Sequence, residues 1–283
     1  MFNKIAILGV GLIGASFGLA VKKQGLCREI VGYGRSPVNL GHAMKKGAID
    51  SGTDDPSAAC EGADLIMLST PVGTFTDLVL RVAHVIKTGA IVTDAGSVKG
   101  DLVYDLESAM PEGAHYVGAH PIAGSELSGA AAAYSGLFSG AKCIVTPTSH
   151  SGAEALARVT ALWEKLGAIV TVMDPREHDR VYAAVSHLPH LIAYTMVNTV
   201  ADIDRAYLEM AGQGFRDMTR IAGSSPELWR DISLMNRRNL VEMIEVFRRH
   251  LDSLSSYLGK EEGGLLEGEL RRAQELRNGL GQN

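Results

Sequence analysis

A glycine-rich turn close to the N-terminus most constrains what this chain can fold into. Gly9-Val10-Gly11-Leu12-Ile13-Gly14 fits the pattern GxGxxG, and it follows an apolar segment and opens a helical one. In that context the first glycine makes a tight turn, the second lets backbone approach a pyrophosphate, and the third lets helix and strand pack closely. The anion lies on free N–H groups at the positive end of the helix. The turn therefore predicts a dinucleotide site formed by Gly9, Gly11, Leu12, Ile13 and Gly14.

The first two thirds of the chain alternate short apolar runs with helical stretches. Strands are predicted at 5–8, 30–33, 65–68, 91–93, 142–146 and 169–172, and helices at 12–23, 40–46, 75–86 and 153–166. Ser151 is the predicted N-cap of the last helix and Gly167 its stop. Continuous apolar strands that alternate with helices indicate a parallel sheet covered on both faces. The fold class is therefore α/β, with a Rossmann-type doubly wound sheet over residues 1–173.

After residue 173 the pattern becomes helical. Long helical stretches are predicted at 176–202 and 228–258, and a charged peripheral helix over 260–283. The first stretch is apolar around most of its circumference, and such a helix must be buried. In a domain of only 110 or so residues, an interface between two copies is the natural place for it. We therefore expect residues 174–283 to form an all-helical domain that makes a homodimer.

Composition excludes several classes of protein. The 283 residues carry a net charge of -5, whereas dedicated nucleic-acid and membrane-surface proteins need basic patches. No apolar run reaches the roughly 18 residues of a membrane helix, and no secretory signal opens the chain. The three cysteines contain no CxxC pair, so neither a metal site nor a disulfide framework is indicated. We expect a cytoplasmic protein with no nucleic-acid or membrane partner.

The residues after the second and third predicted strands bear on the choice of cofactor. An acidic residue is expected about 20 residues past the glycines, where it holds the ribose hydroxyls of NAD. Gly34 occupies that position, and Arg35 and Ser36 follow it, so a 2′-phosphate is an alternative. Ser69, Thr70 and Pro71 end a later strand and are expected near the nicotinamide ribose. On these residues alone, NAD and NADP both stay open.

Four further motifs carry a family resemblance. They are Asp94-Ala95-Gly96-Ser97-Val98-Lys99, the segment 118–126 (GAHPIAGSE), Ser186-His187-Leu188-Pro189-His190, and the segment 215–222 (FRDMTRIA). Together with the glycine turn they resemble the prephenate/arogenate dehydrogenase family of tyrosine biosynthesis. The resemblance covers nearly the whole chain, and the combined motifs are specific.

The resemblance implies oxidative decarboxylation of prephenate to 4-hydroxyphenylpyruvate, with hydride transfer to a nicotinamide. Such a reaction needs a base for the hydroxyl proton. In the family this is the histidine that corresponds to His120, and an imidazole is suited to accept a proton near neutral pH. Ser97 corresponds to a serine that hydrogen-bonds this histidine beside the nicotinamide. The family mostly uses NAD, so NAD is the expected cofactor. NADP is the alternative, because Gly34 stands where an acidic residue for the NAD ribose is expected.

The resemblance also implies the groups that bind substrate. Arg220 corresponds to an arginine that grips a carboxylate, and a guanidinium can do so through two bonds. His190 and Ser186 contact substrate, Ser125 lies in the second motif, and Glu126 and Asp217 take part in an ionic gate. Two residues stay open: His187 is either a site residue or a packed core histidine, and Lys99 either a site residue or a surface charge. Pro189 means that a helix either starts near Ser186 or kinks there.

Several alternatives remain at this stage. The substrate can be arogenate, or both compounds, because no single residue distinguishes the keto from the amino side chain. A β-hydroxyacid dehydrogenase would share the architecture but uses a lysine base in the helical domain. A binding protein that senses the dinucleotide without catalysis is the alternative from another class. We expect no built-in tyrosine-sensing domain.

Overall fold

Strands and helices alternate over the first part of the protein, and only helices follow. The computed structural model describes residues 1–124 and 127–280. The strands are β1 (Phe2–Leu8), β2 (Cys27–Tyr33), β3 (Ser51–Thr53), β4 (Leu65–Leu68), β5 (Ile91–Asp94), β6 (His115–Pro121), β7 (Lys142–Thr146) and β8 (Ile169–Val172). The helices are α1 (Leu12–Lys23), α2 (Pro37–Lys45), α3 (Pro56–Cys60), α4 (Phe75–Val82), α5 (Gly100–Ser108), α6 (Ala153–Lys165), α7 (Pro175–Tyr182), α8 (Leu188–Ile203), α9 (Gln213–Thr219), α10 (Pro226–Met235), α11 (Arg237–Gly259) and α12 (Gly263–Gly279).

The strands form one sheet in the order β3-β2-β1-β4-β5-β6-β7-β8. The order reverses between β1 and β4, which is where open α/β sheets bind ligands. This confirms the predicted doubly wound fold with a helical part after it. The sheet is parallel as predicted except for one pair of strands, since β7 runs antiparallel to β6. The described part of the connection between them contains one short 3₁₀ turn, Ala130–Ala132, and no crossover helix of the kind that usually joins parallel strands.

The sequence pattern missed β3 and β6. The β3 strand has only three residues, Ser51–Thr53, and carries no apolar run. In β6 a glycine and a proline interrupt the apolar pattern, and His120 lies within this strand. His120 is paired with Ile144 of β7, so its backbone is fixed by the sheet.

Apolar side chains cover both faces of the sheet. In β1, Ile5 and Ile7 belong to one cluster, and Ala6 and Leu8 to the other, as the twofold alternation of a strand requires. On the first face Trp163 of α6 packs against Phe17 and Phe138, with ring centroids 5.6 and 5.2 Å away. The second face is covered from α4, α5 and α10. The sheet edge that carries the strand ends is thereby held rigid.

Several helix boundaries differ from the sequence prediction. The first long stretch is interrupted by a π-helical turn, Ala183–His187, and the second breaks at Asn236 between α10 and α11. Gly152, not Ser151, is the N-cap of α6. The Ser151 hydroxyl instead donates to Glu107 at 3.0 Å and accepts the N–H of Thr148 at 3.1 Å, so its oxygen is directed at the preceding loop and not at the helix. Gly167 does follow α6, with φ +89°.

The described chain divides into two compact units. The first is Met1–Arg237, and the second begins at Arg238. In the second unit large apolar side chains are exposed along α11 and α12, namely Val241, Leu251, Leu258, Leu265, Leu270 and Leu276. None of the helices described has the length and apolar character needed to cross a membrane.

The close packing of α1 on the sheet gives a testable prediction. A β-carbon on Gly18 would lie 2.2 Å from the carbonyl oxygen of Ala48, whereas one on Gly41 in α2 would meet nothing within 4 Å. Gly18→Ala should therefore lower the free energy of unfolding by about 1–3 kcal/mol. Gly41→Ala, the matched control, should raise it by about 0.5–1 kcal/mol because alanine favours the helix. Urea unfolding measures both, and equal effects would contradict the packing described.

Candidate functional site

The glycine turn lies where β1 passes into α1. Gly9 has φ +103°, and a β-carbon there would lie 2.5 Å from the backbone nitrogen of Thr70. A β-carbon on Gly14 would lie 2.3 Å from the carbonyl oxygen of Gly9. Gly11 is the N-cap of α1, with no side-chain cap and open space beside it. The turn thus leaves the first N–H groups of α1 free for an anion.

A cleft of about 470 Å³ opens at this turn. Its lining includes the predicted cofactor residues Gly9, Gly11, Arg35, Ser36, Ser69, Thr70 and Pro71. Leu12 is buried and Ile13 packs on the core, so these two and Gly14 shape the turn from behind. The carboxyl ends of β1, β2 and β4 therefore meet in one cleft at the point where the strand order reverses.

At the β2 end of the cleft the side chains are compatible with the adenosine ribose of NAD and with the 2′-phosphorylated ribose of NADP. Arg35 is exposed, and the Ser36 hydroxyl accepts a hydrogen bond from the Asn39 N–H at 3.3 Å, which caps α2. Gly34 does not need to be glycine: its φ is not positive, and a β-carbon there would make ordinary contact with Leu40 at 3.4 Å. Asp77 and Arg81 of α4 line the same cleft.

The end of β5 carries a buried ion pair. Lys99 Nζ lies 2.5 Å from Asp94 Oδ2, and both side chains are fully buried. Asp94 also accepts bonds from the Tyr116 hydroxyl at 2.8 Å and from the N–H groups of Gly96 and Ala119 at 2.8 and 3.0 Å. Lys99 also donates to the Gly96 carbonyl at 2.8 Å. Lys99 is therefore not a surface charge. It holds the loop after β5 on Asp94, and Asp94 in turn bonds Tyr116 and Ala119 of β6.

A row of hydrogen bonds runs from His120 into α7. His120 Nδ1 lies 2.8 Å from His178 Nε2, and His178 Nδ1 lies 2.9 Å from Asp179 Oδ1. The same Asp179 oxygen accepts the N–H of Lys99 at 2.7 Å. The Tyr182 ring packs against both histidines, with centroids 4.9 and 4.5 Å away. The row thus joins β6, α7 and the loop that carries Ser97.

Burial holds His120 in its neutral form. The side chain is 7% exposed, and burial lowers its pKa well below 6.5, helped by the neighbouring His178, Lys99 and His187. Nε2 of His120 makes no hydrogen bond within residues 1–124 and 127–280. A neutral imidazole with one free nitrogen can accept a proton.

Ser97 lies in the loop beside this histidine and is half-buried. The hydrogen bond to His120 that the resemblance implied is not present among the described residues: His120 Nδ1 is paired with His178, and its Nε2 makes no hydrogen bond. The backbone of Ser97 instead lies near His187, where it raises the pKa of that ring slightly against the larger effect of burial.

The π-helical turn explains how Pro189 is accommodated. In a continuous α-helix its ring would clash with the carbonyl of Val185, and a widened turn removes the clash. The α-helix α8 then begins at Leu188, with the proline in its first turn. Ser186 in the turn is half-buried.

His187 ends this turn and His190 lies in the first turn of α8, and the two differ in environment. His187 is fully buried, its Nδ1 is 3.1 Å from Asn236 Nδ2, and burial lowers its pKa to about 4. It is thus a packed core histidine. His190 stacks on Trp229 at 3.5 Å between centroids. Burial lowers its pKa to about 4, and the charge of Arg220 acts in the same direction.

Of the remaining predicted residues, Arg220 and Asp217 lie at the surface. Arg220 is exposed and lies near enough to His190 to affect its pKa. Asp217, also exposed, accepts a hydrogen bond from Gln213 Nε2 at 2.7 Å. Ser125 and Glu126 lie outside the described residues, so the gate assigned to Glu126 and Asp217 stays a prediction. Among the described residues, no group of three or more His, Cys, Asp or Glu side chains is arranged to hold a metal ion.

Sequence reasoning missed four side chains of this region: Asp94, His178, Asp179 and Trp229. In α7 the buried positions are Pro175, His178, Asp179 and Tyr182, which have the spacing of a helix face. This face is polar, so hydrophobic periodicity could not mark it. A buried aspartate at the end of a strand was visible in the motif 94–99 but not interpreted.

A Rossmann cleft, with a neutral buried histidine at the carboxyl end of another strand of the same parallel sheet, is the arrangement of a dinucleotide-dependent oxidoreductase. Two family models divide the chain between them: the prephenate dehydrogenase nucleotide-binding domain matches residues 17–172, and the prephenate dehydrogenase dimerization domain matches 174–272. The chain belongs to the prephenate dehydrogenase family.

Individual relatives agree with the family models. The chain is 34% identical to prephenate dehydrogenase of Bacillus subtilis over 99% of its own length and 76% of that protein. It is 33% identical to cyclohexadienyl dehydrogenase of Zymomonas mobilis over 99% and 97%.

Solved structures show the same relationship. A prephenate dehydrogenase from A. aeolicus, in complex with hydroxyphenyl propionate and NAD+, matches with a TM-score of 0.92 at 37% identity, covering 98% of each chain. Arogenate dehydrogenase of Synechocystis matches with a TM-score of 0.81 at 28% identity, over 97% and 99%. The likeness to 3-hydroxyisobutyrate dehydrogenase of Salmonella typhimurium, at 12% identity and a TM-score of 0.58, concerns the fold alone.

The buried ion pair gives a prediction for stability. Lys99→Met leaves the carboxylate of Asp94 buried without its cation, so we expect a loss of about 3–5 kcal/mol in the free energy of unfolding. Lys22→Met, which removes a partly exposed ion pair with Asp50, is the matched control and should cost at most about 1 kcal/mol. Denaturant titration compares the two variants. Similar small losses would show that the Asp94 site does not hold the fold.

Proposed function

We propose that the protein oxidatively decarboxylates prephenate to 4-hydroxyphenylpyruvate and transfers the hydride to NAD+. The observation that carries the proposal is His120, a neutral buried imidazole with a free Nε2 near the carboxyl end of β6. This strand is parallel to β4 and β5, so its carboxyl end lies at the same edge of the sheet as the strand ends that line the dinucleotide cleft. The relatives named for prephenate and the solved structure with NAD+ support the substrate and the cofactor. Arogenate, alone or with prephenate, is the second candidate, supported by the cyclohexadienyl and arogenate dehydrogenases among the relatives.

The reaction balances with one base and one hydride acceptor. His120 Nε2 takes the proton of the ring hydroxyl, and the electron pair of that O–H bond forms the carbonyl. The nicotinamide supplies the acceptor for the hydride of the carbinol carbon. The bond to the ring carboxylate then breaks and carbon dioxide leaves. The bonding pair moves into the ring, which becomes aromatic, and the carbonyl oxygen takes the proton back from His120 to become the phenol hydroxyl of the product. No metal ion enters the balance.

Substrate binding is assigned to residues near His190. Arg220 is the group proposed to hold a carboxylate, with Ser186 and His190 as further contacts. Because the pKa of His190 is lowered to about 4, this residue acts as a neutral hydrogen-bonding group and not as a second cation. Ser97 is proposed to lie beside the nicotinamide, and Ser125, Glu126 and Asp217 to border the entrance.

The residues that bind the dinucleotide are also a proposal. The pyrophosphate lies on the N-terminus of α1 at Gly11, with Gly9, Leu12, Ile13 and Gly14 shaping the turn. Ser69, Thr70 and Pro71 border the nicotinamide ribose. At the adenosine ribose the open position at Gly34 and the exposed Arg35 leave room for a 2′-phosphate, so NADP is the second cofactor to test.

Three wider assignments remain proposals. The functional division is at 173/174, with a dinucleotide-binding domain before it and a substrate and dimerisation domain after it. The name of the second family model and the exposed leucines of α11 and α12 support a homodimer formed through the helical domain. A cytoplasmic location stays a prediction from the sequence.

One set of assays tests the function. Prephenate and arogenate are each offered with NAD+ and NADP+, and kcat/KM is measured for the four pairs. Prephenate with NAD+ should give the largest value. His120→Asn should lower kcat by about 10²–10⁴ and leave dinucleotide affinity unchanged, because it removes only the base. A protein that binds dinucleotide but is inactive with all four pairs would instead be a cofactor-sensing protein.

The lowered pKa of His120 predicts the pH dependence. The base works unprotonated, so kcat/KM falls when the free protein takes up a proton as the pH decreases. Because burial places the pKa of His120 well below 6.5, this fall should lie below pH 6.5 and not at it. Circular dichroism at each pH separates the fall from acid unfolding. A fall centred at or above pH 6.5 would contradict the burial of this imidazole.

A further inference from the structure

His178 has no role in the reaction described so far, yet it is a fully buried polar residue bonded to the proposed base. We propose that His178, held by Asp179, is a positioning residue that keeps the proton of His120 on Nδ1 and so leaves Nε2 as the base. The value of this arrangement for catalysis rests on the proposed function, whereas the position of the proton does not.

The donors and acceptors in this row of hydrogen bonds determine which nitrogen carries the proton in each bond. Asp179 Oδ1 accepts the N–H of Lys99 at 2.7 Å, and a carboxylate oxygen has no proton to give. The contact of 2.9 Å between that oxygen and His178 Nδ1 therefore requires the proton on His178 Nδ1. A neutral His178 then presents a lone pair at Nε2. The contact of 2.8 Å with His120 Nδ1 must be donated by His120.

The opposite direction would need a charged His178. In that form His178 Nε2 would donate to His120 Nδ1, and the proton of His120 would lie on Nε2, where no base is left. Burial lowers the pKa of His178, and the ammonium of Lys99 lowers it further, against the raising effect of Asp179 and Asp94. The other neighbours, Tyr182 and the neutral His187, add no negative charge. The neutral form of His178 is the one that the surroundings favour.

Both histidines are held by rigid elements. His120 is paired within β6 and β7, and α7 is capped by the Asp174 carboxylate, which accepts the N–H groups of Arg176 and Glu177 at 2.8 and 3.1 Å. When His120 Nε2 takes the substrate proton, the bond from Nδ1 to His178 becomes charge-assisted and stronger. His178 therefore favours the protonated base, which forms only as the reaction proceeds.

Two substitutions of His178 distinguish a positioning role in catalysis from a purely structural role. In His178→Gln the amide oxygen can replace Nε2 as the acceptor, whereas His178→Leu offers none. We expect His178→Leu to lose about 10²–10⁴ in kcat, as when a tautomer-fixing group is lost, with KM and dinucleotide affinity changed less than about threefold. His178→Gln should recover at least about tenfold of that loss. His115→Gln, at the opposite end of β6, is the control and should leave kcat unchanged.

A spectroscopic measurement tests the proton directly and needs no activity. In protein labelled with ¹⁵N-histidine, two-bond ¹H–¹⁵N correlations at neutral pH should show His120 protonated on Nδ1, with its signals assigned through their loss in His120→Asn. A proton on His120 Nε2 would overturn the proposal. So would wild-type kcat in His178→Leu, or an equal loss of kcat in the Leu and Gln variants. A protein with the Nδ1 proton but no activity on any substrate would defeat only the proposed function.

Discussion

The carboxylate of Asp94 is the point on which the rest of the site depends. It accepts from Lys99, from Tyr116 and from two backbone N–H groups, so its four contacts join β5, β6 and the loop between β5 and α5. A buried charge is tolerated only when it is paired and its hydrogen bonds are satisfied. Gly118 makes room for the pair, since a β-carbon there would lie 3.3 Å from Lys99 Cδ and 2.4 Å from the Thr146 hydroxyl. With the loop fixed in this way, the N–H of Lys99 is directed at Asp179.

Asp179 connects this loop to the proposed base through His178. The helix α7 presents a buried face of polar residues to the sheet, and each of them is bonded to a neighbour or stacked on one. A buried polar network destabilises the fold if any member lacks a hydrogen-bond partner, and it specifies one arrangement of the core if every member has one. The π-helical turn that follows places Ser186 and His190 without straining Pro189. Through His178 of α7, the helical segment is hydrogen-bonded to the proposed base on β6.

The sequence predicted much of this arrangement. The glycine turn and the six apolar strands that were recognised are enough to define a doubly wound sheet. Seven of the predicted cofactor residues line one cleft, namely Gly9, Gly11, Arg35, Ser36, Ser69, Thr70 and Pro71. The motif containing His120 pointed to the base, but its strand was missed because Gly118 and Pro121 interrupt the apolar pattern. Local patterns failed where long-range contacts decide the structure. His178 and Asp179 belong to no apolar pattern in the sequence, and contacts with β6 and with the loop at Lys99 bury them.

The central claim is that His120 Nε2 removes the hydroxyl proton while hydride leaves the same carbon. It is tested most directly by a crystal structure of the protein with NAD+ and a substrate analogue that keeps the ring hydroxyl. The account predicts that Nε2 lies about 2.6–3.2 Å from that oxygen, with Nδ1 still bonded to His178. An imidazole turned away from the hydroxyl, or a different side chain within hydrogen-bonding distance of it, would contradict the account.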